Sequence, residues 1–384
     1  LHIYLLTTNE HKLQEKHEIK NVQNRYAWID YIRGIAIILV VYRHVLEGIS
    51  RAGFSIEQYR YLQDANIMFF SFRMPLFFIV SGIFVTQGII KKSLKGYLSN
   101  RFATVFYPFV LWAFLQITLQ FVFSSYVNAD RSLFNYADLF IHPRRYDHFW
   151  YLYALFNVSV LYALVQSVRF VKLYHQLALG FLLYLASALF AVLKIDIGML
   201  YDIMHYYLFF AAGDFISSFI FREKTSSALS SVWLLAATAP FFAAAQYYFL
   251  VTNTKENSNY YVEQYQPLYF LVISLTGCLF ITSLSFILQK TKAANWLKII
   301  GYHSLYIYVM HVMMSSLVRN VLSKFLHVQE LHVLLFSGVV CGVLLPVVFY
   351  KIAMKIGAKW LFELPREFFG ARFIKGSETK TGTL

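Results

Sequence analysis

Apolar runs of bilayer length recur along the whole chain. With roughly 20 apolar residues needed per crossing, about ten candidate helices can be drawn, near 29–49, 67–90, 102–124, 148–168, 176–193, 199–221, 228–250, 267–288, 301–319 and 332–356. Such a chain has few options, because backbone inside lipid must satisfy its own hydrogen bonds. The expected fold class is therefore all-α, a polytopic membrane protein. Hydrophobic residues make up 58% and charged residues 14% of the 384, too few charges to cover a soluble particle of this size.

Lys and Arg give the orientation. With the N-terminus inside, 22 of the 34 fall in inner segments and 9 in outer ones, which predicts both termini in the cytoplasm. The positive-inside pattern also accounts for the net charge of +14, so no nucleic-acid partner is expected. The expected organisation is a cytoplasmic segment 1–25, a transmembrane domain 26–360 and a cytoplasmic tail 361–384, of which "KGSETKTGTL" reads as disordered. The first 25 residues lack the pattern of a removed signal peptide. Cys278 and Cys341 are the two cysteines, and both lie in apolar runs. They suggest neither a disulfide framework nor a thiolate metal site.

Against this background the first span, "WIDYIRGIAIILVVYRHVLEG" (28–48), is anomalous because it carries ionisable groups. Such residues cost a few kcal/mol to insert and are functional candidates by default. Arg33 and His44 are eleven positions apart, which in a helix means about 20° past three full turns and a rise of ~16 Å. They share one face, with Ile37 and Val40 between them, and His44 lies deeper toward the outside. Asp30 stands three residues before Arg33, and Glu47 three after His44, so each basic group has an acidic neighbour within reach.

Later spans add polar candidates. "FRMPLFFIVSG" (72–82) places Arg73 before a Met-Pro pair and offers Ser81–Gly82 as a close-packing point. A basic collar follows, with Lys91, Lys95 and Arg101 able to face an anionic ligand at the inner mouth. In 148–168, Trp150, Tyr153 and Asn157 fall on one helical face; an interfacial aromatic belt is the competing account of Trp150. In 301–319, Ser304, Tyr308 and His311 do the same. His205 and Asp214 are further polar candidates without an assigned role. Neither an HExxH, a GxSxG nor a P-loop motif is present, so no metal is expected.

These motifs together resemble acyltransferase family 3, the integral-membrane O-acyltransferases of glycans and lipids. Arg33 and His44 match its Arg-x10-His signature, and "MPLFFIVSG", "NRFATVFYPFVLW", "HFWYLYALF" and "IGYHSLYIYVMH" resemble its later landmarks in order, from about residue 26 to 356. Two positions depart from the family pattern. Thr104 stands where a second arginine often follows the one matched by Arg101, and Arg73 replaces a frequent histidine. The hydrolase-like extracellular domain of some relatives has no counterpart in this sequence.

The resemblance implies a multi-pass enzyme of the inner (cytoplasmic) membrane, an O-acetyltransferase in the default case. It would take an acyl group from cytoplasmic acyl-CoA to a hydroxyl of a cell-surface polysaccharide or lipid-linked glycan. On this expectation His44 is the base or a transient acyl carrier, since histidine titrates near neutrality. Arg33 holds the CoA phosphates or the thioester, and Arg101, Arg73, Lys91 and Lys95 neutralise remaining CoA charge. Glu47, Trp150 and Tyr153 are expected near the substrate, and Ser304, Tyr308 or His311 would donate to the developing oxyanion. The rival reading is a transporter or flippase of a polar glycan or lipid, because polar faces at mid-membrane also mark transport pathways; no internal repeat of the kind that accompanies transporter folds is evident.

Overall fold

The structure, a computed structural model, describes residues 26–123 and 132–365. The expectations for the N-terminal segment 1–25 and for the end of the tail fall outside the described residues. Among those described, helices account for the regular structure and no strand occurs. Eight helices are long and apolar enough to cross a membrane. Two more complete the expected set of about ten only if they also cross. These are the charged 25-residue helix Ala27–Arg51 and the 17-residue apolar helix Trp150–Gln166.

The first helix is the hub. It packs against helices Arg73–Gly82, Pro267–Thr291, Asn295–Tyr302, Ser304–Asn320 and Leu331–Lys355, and no residue from Ala27 to Ile49 is exposed. This enclosure explains how a helix with Asp30, Arg33, Arg43 and Glu47 can stand in the bundle. Its polar groups face protein rather than lipid. Apolar side chains instead face outward on peripheral helices, for example Leu182, Phe241 and Phe336.

Small residues allow the closest crossings. A Cβ on Gly34 would collide with the carbonyl of Leu297, and one on Gly301 with the carbonyl of Asp30, so these two glycines seat Asn295–Tyr302 directly on the first helix. Gly82 makes the same kind of contact with Phe210 and Gly213 of helix Met199–Ile220, as its sequence context suggested.

The second expected span, 67–90, is not one helix. Helix Arg60–Met68 ends, the chain turns through 69–72, and Arg73–Gly82 begins afresh. Pro75 supplies the reason: it lacks an N–H, and its ring clashes with the carbonyl four residues earlier, that of Ser71. In the first turn of a new helix the missing donor costs nothing. The freed Ser71 carbonyl accepts a hydrogen bond of 2.9 Å from the Ser274 hydroxyl, and Ser71 Oγ donates to Gln246 at 2.7 Å. Neighbouring helices thus satisfy a break that lipid could not. A second reversal occurs at Ser93, whose φ of 63° interrupts helix Val85–Arg101 within the basic collar. The expected span 301–319 likewise divides at His303, into Asn295–Tyr302 and Ser304–Asn320.

Candidate active site

The unbroken first helix keeps Arg33 and His44 on one face, as the turn arithmetic requires. His44 opens into a cavity of about 990 Å³, at the upper end of the size range of small-molecule sites. Along the first helix the cavity runs from Val40 to Arg51, with Met74 and Tyr308 near the first and Arg145 and Asn320 also in its lining. On the last helix and the segment after it, the lining continues to Phe349 and Leu361. Arg33 does not line the cavity; Ile37, fully buried, fills the helix face between Arg33 and Val40.

At His44 the first helix builds a short relay from its own side chains. Arg43 Nε donates to Glu47 Oε1 at 2.7 Å, and Glu47 Oε2 lies 3.5 Å from His44 Nδ1. The spacings of four and three residues put all three groups on adjoining strips of the helix. Arg43 is further held by Tyr260, to whose hydroxyl it donates, and by the rings of Phe70 and Tyr260 at 5.0 and 5.6 Å. The carboxylate thus has a fixed position from which to orient the imidazole. With Nδ1 directed at Glu47, Nε2 is the nitrogen left to accept a proton.

Two other histidines complete the site. His148 precedes helix Trp150–Gln166 and His311 lies within Ser304–Asn320; both are fully enclosed. Their rings stand 4.6 Å apart and lie 5.8 and 5.3 Å, respectively, from that of His44. Nδ1 of His311 faces the carbonyls of Tyr308 at 2.8 Å and Ile307 at 3.1 Å, so it carries the proton and Nε2 is the lone-pair nitrogen. The Tyr308 hydroxyl donates to the His148 carbonyl, which pins the loop before Trp150 to helix Ser304–Asn320. Among the described residues no group of three or more His, Cys, Asp or Glu side chains is arranged to hold a metal ion.

The proposed oxyanion donors are consequently committed elsewhere. The Tyr308 proton goes to His148 and the His311 Nδ1 proton to backbone. Ser304, at the start of its helix, does not line the cavity.

The end of the bundle that carries Arg33 holds a separate cluster. Arg101 Nε donates to the Tyr97 hydroxyl at 2.9 Å, and its Nη2 reaches the Ser81 carbonyl at 3.5 Å. Arg33 and Arg101 both lie near the Tyr151 hydroxyl. The ring of Tyr151 packs 5.1 Å from that of Tyr308, which links this cluster to the histidines. Lys91 and Lys95 are exposed around the Ser93 turn. This set has the cationic and hydroxyl donors that phosphate recognition uses.

Arg73 is not part of it. The break before Pro75 places Arg73 at the level of His44, where it donates to the Leu39 carbonyl at 2.7 Å and to Asn66 and lines the cavity. Its expected place beside Arg33, Arg101 and the collar lysines therefore does not match the fold. Trp150 and Tyr153 also part company. Trp150 faces the cavity under the Arg144 guanidinium at 4.6 Å. Tyr153 stacks on Phe109 at 5.1 Å in an aromatic layer outside the lining. Asn157 donates to the Tyr153 carbonyl. His205 and Asp214 serve polar pairs away from His44: His205 lies 3.6 Å from Glu263, and Asp214 accepts from Tyr162 and Thr86.

Sequence reasoning passed over Arg43, His148, Tyr260 and the arginines of the outer rim. The Arg43–Glu47 spacing of four was a readable signal, and His148 stood at the head of a motif already singled out. Tyr260 had none, since it arrives from a segment between spans.

A model of the family described as "Acyltransferase domain" (Acyl_transf_3) matches residues 26–351. No curated protein and no solved structure was found to match the chain.

Proposed function

This chain belongs to the Acyl_transf_3 acyltransferase family, and from that premise we propose that it is an O-acetyltransferase of the inner membrane. It moves an acetyl group from cytoplasmic acyl-CoA to a hydroxyl of a cell-surface or lipid-linked carbohydrate. The observation that carries this reading is the Arg43–Glu47–His44 relay at the wall of a large cavity. A histidine oriented by a fixed carboxylate is the arrangement of a general base.

In the direct reaction Nε2 of His44 removes the proton of the acceptor hydroxyl. The oxygen attacks the thioester carbonyl, the tetrahedral centre collapses with loss of the CoA thiolate, and the imidazolium returns the proton to the sulfur. Arg33, Arg101 and the collar lysines bind the CoA phosphates at the inner end. The pantetheine arm then has to span the ~16 Å rise to His44. One observation favours a two-step variant. Arg33 does not line the cavity that His44 enters, and the buried Ile37 separates the two along the first helix. In that variant His44 Nε2 attacks the thioester carbonyl, CoA leaves as thiolate, and an N-acyl imidazolium whose Nδ1–H faces the Glu47 carboxylate waits for the acceptor hydroxyl.

The test is radiolabelled acetyl-CoA given to the detergent-purified full chain with an acceptor extract, without any ion gradient. Thiol release with label appearing on glycan supports the enzyme. Absence of both, together with gradient-dependent glycan movement in vesicles, would establish the transporter reading instead. Label retained on His44 when acceptor is withheld selects the two-step variant.

A further inference from the structure

Six arginines line the cavity, and their charges are not balanced within it. Arg43, Arg51, Arg73, Arg144, Arg145 and Arg319 face only two lining carboxylates, Glu47 and Asp147. Partners behind the wall serve two of them. Asp202 lies 2.7 Å from Arg144, and Asp138 lies 3.4 Å from Arg145. Glu47 is used by Arg43, and Asp147 by Arg51 at 2.7 Å. Arg73 donates from both terminal nitrogens to the neutral oxygens of Leu39 and Asn66. Arg319 differs from all of these. It is 9% exposed, its Nε makes no hydrogen bond, and no carboxylate pairs with it among the described residues.

A buried guanidinium without an anionic partner is costly to hold in apolar surroundings. Arg319 cannot be dismissed as an anchor reaching for lipid headgroups, because it lines the cavity of His44. Space has also been made for it. A Cβ at Gly48, one turn beyond His44 on the first helix, would lie 2.5 Å from Arg319 Nη1. Arg51, the next outward residue on this face of the first helix, sits in the same electrostatic environment and repels Arg319. Two like charges that line one cavity, with Arg319 against Gly48 and Arg51 three residues further along the same helix, form a site for an anion to bridge.

We propose that Arg319 and Arg51 form an anion subsite at the outer end of the cavity, which takes a carboxylate or phosphate group carried by the acyl acceptor. The inference rests on the acyltransferase reading for the word acceptor and narrows it: the acceptor is negatively charged, an acidic or phosphorylated carbohydrate. Asp147 acts as a built-in competitor, because it occupies Arg51 until the ligand arrives. Binding then exchanges an internal ion pair for one with substrate, which favours charged over neutral sugars.

The experiment follows the thermal unfolding midpoint of the detergent-purified full chain during titration with four probes. These are methyl glucuronide (the free carboxylate), glucose 1-phosphate, the neutral methyl glucoside, and coenzyme A. The expected result is that the two charged sugars bind at least tenfold more tightly than methyl glucoside, with affinity falling as salt is raised. The tighter of the two identifies the group as carboxylate or phosphate. Arg319→Gln should remove the preference, and Asp147→Asn should strengthen charged-sugar binding severalfold, a gain that misfolding cannot imitate. Coenzyme A affinity should be the same in wild type and Arg319→Gln. Equal binding of charged and neutral sugars, unchanged affinity in Arg319→Gln, or no gain in Asp147→Asn would overturn the subsite. Coenzyme A binding lost with Arg319 would also overturn it, by giving the cavity to the donor. Acetyl-CoA consumption is measured separately. Charge-selective binding without consumption would sink the enzyme reading and leave the subsite standing, whereas consumption without selectivity would do the reverse.

Discussion

Glu47 Oε2 lies 3.5 Å from Nδ1 of His44, while the other oxygen of the same carboxylate is fixed at 2.7 Å by Arg43. One turn of helix thereby supplies an imidazole, the group that orients it and the cation that holds the orienter. This local construction makes the site testable residue by residue.

His44→Ala should lower acyl transfer by roughly 10²–10⁴-fold or abolish it, the range expected for loss of a general base. The protein should still insert and accumulate, because the side chain faces a cavity rather than packed core. Glycan mass spectrometry together with membrane blotting checks both halves. Normal acylation in this variant would remove His44 from the chemistry.

Glu47→Gln keeps the shape of the side chain and removes its charge. It should reduce turnover on the order of 10- to 1,000-fold, less than removal of the imidazole, since an amide orients the ring poorly. The Michaelis constant for acyl-CoA should change little, because Glu47 lies at the end of the bundle opposite Arg33 and Arg101. A variant that lost donor binding and kept turnover would contradict the assigned place of Glu47.

Arg33→Ala should act on the other parameter. Loss of a charge-assisted contact is worth about 1.5–3 kcal/mol, so the Michaelis constant for acyl-CoA should rise by roughly ten- to a hundredfold. Steady-state kinetics at saturating acceptor measure this. An unchanged constant would exclude Arg33 from donor binding.

Gly301→Val tests the packing under the site. Its Cβ would meet the backbone carbonyl of Asp30, an obstacle that no rotamer change can clear. The cost should be at least the about 1–3 kcal/mol typical of overpacking, seen as a lower unfolding midpoint in detergent and reduced accumulation. Gly357, with open space around its Cβ position, is unsuitable as a control because its φ is +78°; the exposed Ser227 serves better.

Acid sensitivity is expected at Asp138, which lies between spans beneath the cavity rim. Burial by itself raises its pKa, but hydrogen bonds from His142 and Tyr146 and the Arg145 charge outweigh that and hold it below the usual value. A carboxyl depressed on folding adds stability that is complete above its unfolded pKa, about 3.9, and is lost as pH falls through the folded value. Wild type should therefore lose stability more steeply below about pH 4 than Asp138→Asn does. Thermal midpoints across that range would show the difference, and parallel curves would refute it.

The membrane class, the helical architecture and the shared face of Arg33 and His44 were legible in the sequence. Each depends on local regularities: apolar length, and a fixed rotation and rise per residue. The Glu47–His44 contact was legible for the same reason, since both ends lie on one helix. The break before Pro75 was not legible, since 67–90 reads as one apolar span in which a proline can be tolerated, and neither was how far Arg73 would be carried from the collar. That depended on the hydroxyl of Ser274, which accommodates the turn from 203 residues away.

Everything that converges on His44 from other helices was decided only in three dimensions. His148 and His311 meet across a separation of 163 positions, and Tyr260 reaches Arg43 from a segment between spans. The balance of charge in the cavity belongs to the same category. In the sequence Arg319 is one outer arginine among several, and only the fold shows which carboxylates the others take. Sequence periodicity determines which residues share a helix face. Which faces meet, and which charge is left without a partner, is set by the close packing of helices whose backbones touch at glycine.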